Sequence, residues 1–285
     1  MTIRQLVKSF IIIKNTLFCL YTQGKVCDIM LATKAQQLQQ RRFIMYKNFV
    51  FDVYGTLVDI HTNEHEEKTW EKMVQTLEFY GAKYTATELK EAYFSSCELQ
   101  MIQGKANFKH PEVDVVEVFR HIFENKRIKV SKTLATHIAQ EFRAFSTEYL
   151  RVYNGVMETL AKLRKAGKKL YILSNAQSCY TKPELIKLGL YKKFDGVIMS
   201  SDYKCAKPDV ALFEILIKKY KLNKKETIFI GNDGINDVMG ARNARIDCLW
   251  LKTNHTDPDV TPRFAPKYVI TNGDFTEIAN LLLKK

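Results

Sequence analysis

The side chains best suited to chemistry on an anion lie at the ends of apolar runs. Asp52 closes the run Asn48-Phe-Val-Phe-Asp52, and the chain then turns through Tyr54-Gly55-Thr56. Ser174 and Asn175 close a second run, Leu170-Tyr-Ile-Leu-Ser-Asn175. Asp233 and Asp237 follow a third, Thr227-Ile-Phe-Ile-Gly-Asn-Asp233. Lys207 precedes Pro208 at the expected start of a helix, where the ammonium and the helix N-terminus both favour an anion. A carboxylate on a rigid strand end, ringed by the N–H groups of a turn, is placed as a nucleophile would be. Alone, Asp52 would equally serve as a turn cap; it gains meaning only if the other strand ends converge on it.

The elements that must position these groups alternate in type. Strands are expected at 48–52, 169–173, 197–199, 227–230, 248–251 and 268–270. The helices between them span 155–166, 183–188, 208–220, 235–244 and 275–283. Such alternation indicates a parallel, doubly wound sheet, whose carboxyl strand ends share one edge where ligands bind. Between the first and second strands the pattern is helical throughout. Trp70, Met73, Val74 and Leu77 recur at helical spacing, and Thr85-Ala-Thr-Glu88 is a capping box for a helix running to about Gln103. Pro111 fits a helix first turn ahead of Val115, Val116, Phe119, Ile122 and Phe123. Ser131 can cap a fourth helix, with Leu134, Ile138, Phe142, Phe145 and Tyr149 inside. The expected organisation is an α/β Rossmann-like core, residues 45–60 and 151–285, interrupted by an all-α module, residues 61–150.

Composition narrows the functional classes. Hydrophobic content of 46% and charge of 26% over 285 residues suit a globular protein with a substantial core. The net charge is +13, of which +6 falls in residues 1–44. The remaining lysines are spread along helices without the aromatic interleaving of a nucleic-acid surface, so the charge implies solubility and attraction of small anions. Phe10–Tyr21 is apolar but far shorter than the roughly 20 residues that span a bilayer. Six cysteines without a Cys-x-x-Cys pair point to reduced thiols and a cytoplasmic setting. Residues 1–44 fit poorly with the α/β pattern of the rest of the chain. Arg41-Arg42 can be encoded by a purine run resembling a ribosome-binding sequence, so translation is expected to start naturally at Met45.

Four segments in order, Phe51-Asp-Val-Tyr-Gly-Thr56, Ile172-Leu-Ser-Asn175, Lys207-Pro-Asp209 and Ile230-Gly-Asn-Asp-Gly-Ile-Asn-Asp237, resemble the motifs of the haloacid dehalogenase superfamily. The resemblance runs from about Met45 to the C-terminus and implies a helical cap inserted after the first motif. It implies Asp52 as nucleophile, Ser174 bonding the transferring group, and Lys207 neutralising it and orienting Asp52. Gly55, Thr56 and Asn175 would line the substrate. Mg2+ would be held by Asp52, Asp233, Asp237 and the backbone carbonyl of Tyr54. Asn232 sits where many relatives place the first acidic residue, which leaves the register of the last motif open by one position.

Tyr54 departs from the phosphatase pattern, which has a second Asp two residues after the nucleophile. A tyrosine of ordinary pKa, about 10, is a poor general base at neutral pH. Dehalogenases of the superfamily resemble this chain in having Tyr there, since a halide leaves without a proton. They also use an early cap arginine, absent from residues 53–119, and dispense with Mg2+, whereas Asp233 and Asp237 resemble a metal motif. The expected activity is therefore Mg2+-dependent hydrolysis of a small phosphorylated metabolite through an aspartyl-phosphate. The alternatives are a 2-haloacid dehalogenase-type hydrolase and a weakly active phosphometabolite-binding protein. Asp59 or Glu64 could supply the missing acid. His61-Thr-Asn-Glu-His65 matches a zinc-protease pattern but reads better as a solvated helix start, and Trp70, Tyr93 and Phe94 read as core.

Overall fold

The computed structural model describes residues 46–283. The expectations for residues 1–44, Cys19 and Cys27 among them, lie outside that range. In chain order the core strands are β1 (Asn48–Phe51), β4 (Lys169–Ser174), β5 (Gly196–Met199), β6 (Thr227–Gly231), β7 (Asp247–Leu251) and β8 (Tyr268–Ile270), with β2 (Val58–Thr62) and β3 (Thr147–Val152) forming a separate ribbon. Helices α1 (Glu67–Phe79), α2 (Ala86–Gly104), α3 (Val115–Asn125) and α4 (Lys132–Ser146) lie between β2 and β3. The rest are α5 (Val156–Lys165), α6 (Ser178–Lys187), α7 (Val210–Tyr220), α8 (Gly240–Asn243) and α9 (Thr276–Leu282).

The six core strands form one parallel sheet in the order β5-β4-β1-β6-β7-β8. The chain winds outward from β1 to β5, then returns to the other side of β1 with β6, so the carboxyl end of β1 lies at the switch point where such sheets bind ligands. The strands are apolar almost throughout because both faces are covered. Phe49, Phe51, Leu170, Ile172, Ile228 and Ile230 pack with α5 and α9 on one face. Val50, Leu173 and Phe229 pack with Leu212, Phe213 and Leu216 of α7 on the other. The expected α/β doubly wound core is therefore present. Among the described residues no helix is long and apolar enough to cross a membrane.

The insert has its own apolar centre, built on Trp70, Met73, Tyr93, Phe119, Ile138 and Phe142. The capping box at Thr85 and Glu88 and the Ser131 cap both form. The periodicity misleads at its edges. Pro111 lies outside any helix, in an isolated antiparallel bridge with Cys205, and Asp114 instead caps α3. Tyr149 belongs to β3, which pairs with β2 from Val58↔Val152 to Thr62↔Thr147, so a two-stranded ribbon joins the all-α segment to the sheet. Helix α7, expected from Pro208, starts at Val210 with Asp209 as its cap. Helix α6 starts at Ser178, five residues before the expected Pro183, which lies inside it.

Pro183 has no N–H for the carbonyl of Cys179 one turn earlier, and Gln140 Nε2 of α4 donates to that carbonyl at 2.7 Å. A second strap crosses further along. Gln177 accepts from Val115 N at 3.0 Å and donates to Val113 O at 2.6 Å. Glu112 accepts from Ser200 Oγ at 2.5 Å, and Ala206 N donates to His110 O at 2.8 Å. The insert is thereby held across the loop that delivers Lys207.

Candidate active site

Asp52, Ser174, Lys207 and Asp237 converge from four places in the chain. Ser174 Oγ donates to Asp52 Oδ1 at 2.8 Å, and Lys207 Nζ donates to the same oxygen at 2.6 Å. Lys207 Nζ also reaches Asp237 Oδ1 at 2.6 Å. Among the described residues Asp52 Oδ2 has no side-chain donor, so one carboxylate oxygen is fixed and the other is left for attack. Asn175 holds the lysine backbone, accepting from Lys207 N at 2.7 Å and donating to Lys207 O at 2.9 Å. Burial opposes the charge on Lys207, but Asp237 and Asp52 outweigh it and push its pKa up. Burial also pushes the Asp237 carboxyl up, against the pull of the ammonium. One buried cation thus faces two buried carboxylates.

The last motif resolves into two roles. Asp233 Oδ1 accepts from Ile235 N at 2.7 Å and Asn236 N at 2.8 Å, and Oδ2 accepts from Asn236 Nδ2 at 2.7 Å. It is the N-cap of the turn that leads to α8. Asn232 is the residue against the first motif: Thr56 Oγ1 donates to Asn232 Oδ1 at 3.1 Å. Gly55 has φ +80°, and a Cβ there would lie 2.6 Å from Asn232 Nδ2, so this approach requires glycine. Gly231 is needed for a like reason, since its Cβ would sit 2.2 Å from Asp237 Oδ2.

The turn donors differ from those expected. Gly55 N donates to Val58 O at 2.8 Å and Thr56 N to Val53 O at 3.3 Å, so neither amide is free for a substrate. With the Thr56 hydroxyl on Asn232 and the Asn175 side chain on Lys207, these three residues shape the site through structural bonds. Among the described residues, the amides of Val53 and Tyr54 have no backbone acceptor.

Tyr54 turns its hydroxyl away from Asp52, donating to Glu184 of α6 and lying 2.8 Å from Thr181 Oγ1. Burial raises its pKa well above the ordinary phenol value. Asp59 is no acid either. Arg151 Nε at 2.8 Å, Asn254 Nδ2 at 3.2 Å and His255 Nε2 at 3.0 Å surround it. Burial works against these bonds, yet they hold its pKa down at about 2. Glu64 behaves oppositely: burial raises its pKa, Arg143 opposing, and its carboxylate has no hydrogen bond among the described residues.

Arg143 and Glu184 escaped the sequence reading. Arg143 Nε donates to Glu184 Oε1 at 2.7 Å, and the guanidinium lies 5.1 Å from the Tyr54 ring centre and 4.8 Å from that of Tyr180. An arginine therefore does reach the first motif, from the last insert helix instead of residues 53–119. The readable signal was a charge on the apolar face of α4, four residues after buried Ala139 and three before buried Ser146.

A family model described as a haloacid dehalogenase-like hydrolase matches residues 46–245. The glyceraldehyde 3-phosphate phosphatase of Methanothermobacter thermautotrophicus is 24% identical over 215 residues, 75% of this chain and 89% of that protein. The phosphoglycolate phosphatase of Agrobacterium fabrum is 31% identical over 144 residues, 50% of this chain and 60% of that protein. Among solved structures, the 2-haloacid dehalogenase of Pseudomonas syringae pv. Tomato superposes with a TM-score of 0.56 at 18% identity, covering 84% of this chain and 99% of that one, a likeness of fold alone.

Proposed function

The chain belongs to the haloacid dehalogenase-like hydrolases, and on that premise we propose that it is a phosphatase acting on a small phosphorylated metabolite through an aspartyl-phosphate on Asp52. The carrying observation is the pair of bonds from Ser174 and Lys207 to Asp52 Oδ1, which leaves Oδ2 as the attacking atom. The phosphoryl group binds against Lys207, the Ser174 hydroxyl and the amides of Val53 and Tyr54, where charge developing on its oxygens meets fixed donors. Oδ2 attacks phosphorus, the bond to the leaving oxygen breaks, and that oxygen takes a proton from water. A second water cleaves the acyl phosphate, releasing phosphate and restoring the carboxylate. The insert acts as a cap, covering the site and limiting water during the first step.

A hard cation suits the donors, which are all oxygen: Asp52, the Tyr54 carbonyl, the Asn232 amide oxygen and Asp237. Asp233, spent on its helix cap, drops out of the expected Mg2+ set and Asn232 takes its place. When bound, Mg2+ screens the negative charge between carboxylate and phosphate. Two carboxylates against one ammonium leave a net negative charge for it to balance. Among the described residues no group of three acidic, histidine or cysteine side chains forms a metal cluster, in keeping with a donor set of which one member is an amide and another a backbone carbonyl.

Asp52→Asn tests the reading. Phosphate release from p-nitrophenyl phosphate with Mg2+ should fall about 10³-fold or more while the melting temperature stays near that of the parent. Halide release from a chloroacid by the parent protein, with no phosphate release, would replace the phosphatase reading by the dehalogenase one. Tyr54 is the observation that favours that second reading.

A further inference from the structure

Phosphoryl transfer uses Asp52, Ser174 and Lys207 and leaves unexplained a charged cluster held against Tyr54, two residues after Asp52. Arg143 is 8% exposed, and its guanidinium is layered between the rings of Tyr54 and Tyr180. Its firm bond is the 2.7 Å one from Nε to Glu184 Oε1; the contact from Nη2 to Oε2 is 3.5 Å. Among the described residues Nη1 donates to nothing. Glu184 spends its charge on Arg143 and also accepts from the Tyr54 hydroxyl. Glu64 leaves the ribbon two residues after β2, and Asn63 N donates to Ser146 O at 2.7 Å, which brings it beside the end of α4 that carries Arg143.

The cluster therefore offers spare N–H donors on a neutralised guanidinium and a free acceptor on Glu64, without a free positive charge. The other buried cations among the described residues are Lys207, committed to the phosphate side, and Lys168. Lys168 directly precedes β4 and so lies at the opposite, amino edge of the sheet. A carboxylate entering here would meet Glu184 and Glu64 before gaining an uncompensated cation, and like charges in a desolvated cleft repel strongly. A hydroxyl or carbonyl oxygen would be bonded at no electrostatic cost.

We propose that Arg143, Glu184 and Glu64 form the leaving-group subsite, and that it selects phosphate esters whose organic part is uncharged and bears hydroxyl or carbonyl oxygens over esters bearing a carboxylate. This rests on the phosphatase reading, which p-nitrophenyl phosphate checks separately. The experiment compares kcat and KM for glycerol 3-phosphate and phosphoglycolate, substrates of similar size, in the parent, Glu64→Gln and Glu184→Gln. The parent should favour glycerol 3-phosphate at least tenfold in kcat/KM, mainly through KM. Glu184→Gln frees the Arg143 charge and should shift the ratio toward phosphoglycolate by about tenfold; Glu64→Gln should shift it the same way by a few-fold. Glu64 makes no side-chain bond, so its variant decides the matter if Glu184→Gln does not fold. A parent that prefers phosphoglycolate, or a ratio indifferent to Glu64→Gln, overturns the subsite alone. Failure to hydrolyse all three esters overturns the phosphatase reading and the subsite with it.

Discussion

Lys207 carries a single charge between two carboxylates, and its removal separates stability from chemistry. In metal-free Lys207→Met, Asp52 and Asp237 face each other unshielded, at a cost of about 3–5 kcal/mol near neutrality. The Asp237 carboxyl, already pushed up by burial, then loses the ammonium that held it down and rises further above the unfolded value of about 3.9. Its stabilising contribution is complete below that unfolded value and lost as pH rises through the folded one, so the melting temperature should increase on acidification from pH 8 to pH 5. Asn232 gives a gain-of-function test: Asn232→Asp should tighten Mg2+ at least tenfold by calorimetry, whereas Asp233→Ala, which removes the N-cap, should lower the melting temperature with little effect on Mg2+ affinity. Tyr54→Phe should keep kcat within about tenfold and leave the pH–rate profile unmoved, because burial raises the phenol pKa well above the assay range and its hydroxyl already donates to Glu184. Asp52, Ser174 and Lys207 were legible because strand ends and a helix start announce themselves in apolar runs. The choice between Asn232 and Asp233 was not, because a one-residue step decides which side chain caps a helix and which faces the cleft. Nor could sequence order reveal Glu184, whose partners lie 41 and 130 residues away.

At the scale of elements, long apolar periodicity was readable and short pairing was not. The buried strands β1, β4 and β6 are continuous apolar runs, and the Thr85 and Ser131 caps mark helix starts unambiguously. Strands β2 and β3 carry polar residues such as Asp59, His61, Glu148 and Arg151, and only their pairing makes them strands. Asp59 bonds Arg151 across the ribbon and stitches the ribbon to the loop after β7 through Asn254 and His255. Its folded pKa of about 2 lies below the ordinary value of 3.8, so its contribution is present above pH 4 and lost as pH falls toward 2. Asp59→Asn should melt well below the parent at pH 6, and the two melting curves should converge between pH 4 and pH 2.

For the molecule as a whole, the insert meets the core through polar straps as well as through Cys179 and Tyr180 packed against its apolar centre. Gln177 satisfies Val115 N, one of the unpaired amides in the first turn of α3, from the core side. Gln177→Ala removes that bond and the one to Val113 O, each worth about 0.5–1.5 kcal/mol net. Amide hydrogen exchange at Val115 should accelerate while exchange in β1 and β6 stays unchanged. The ribbon register has a different kind of consequence. Thr62 and Thr147 are paired neighbours, so the chain departs for the insert and comes back at adjacent points. Residues 63–146 can thus be cut from the gene as one block and the ends joined by a tight Asn-Gly hairpin, without rerouting any strand of the sheet. The architecture allows such a block to be acquired, exchanged or discarded by a single recombination, with Asp52 and Lys207 left in place.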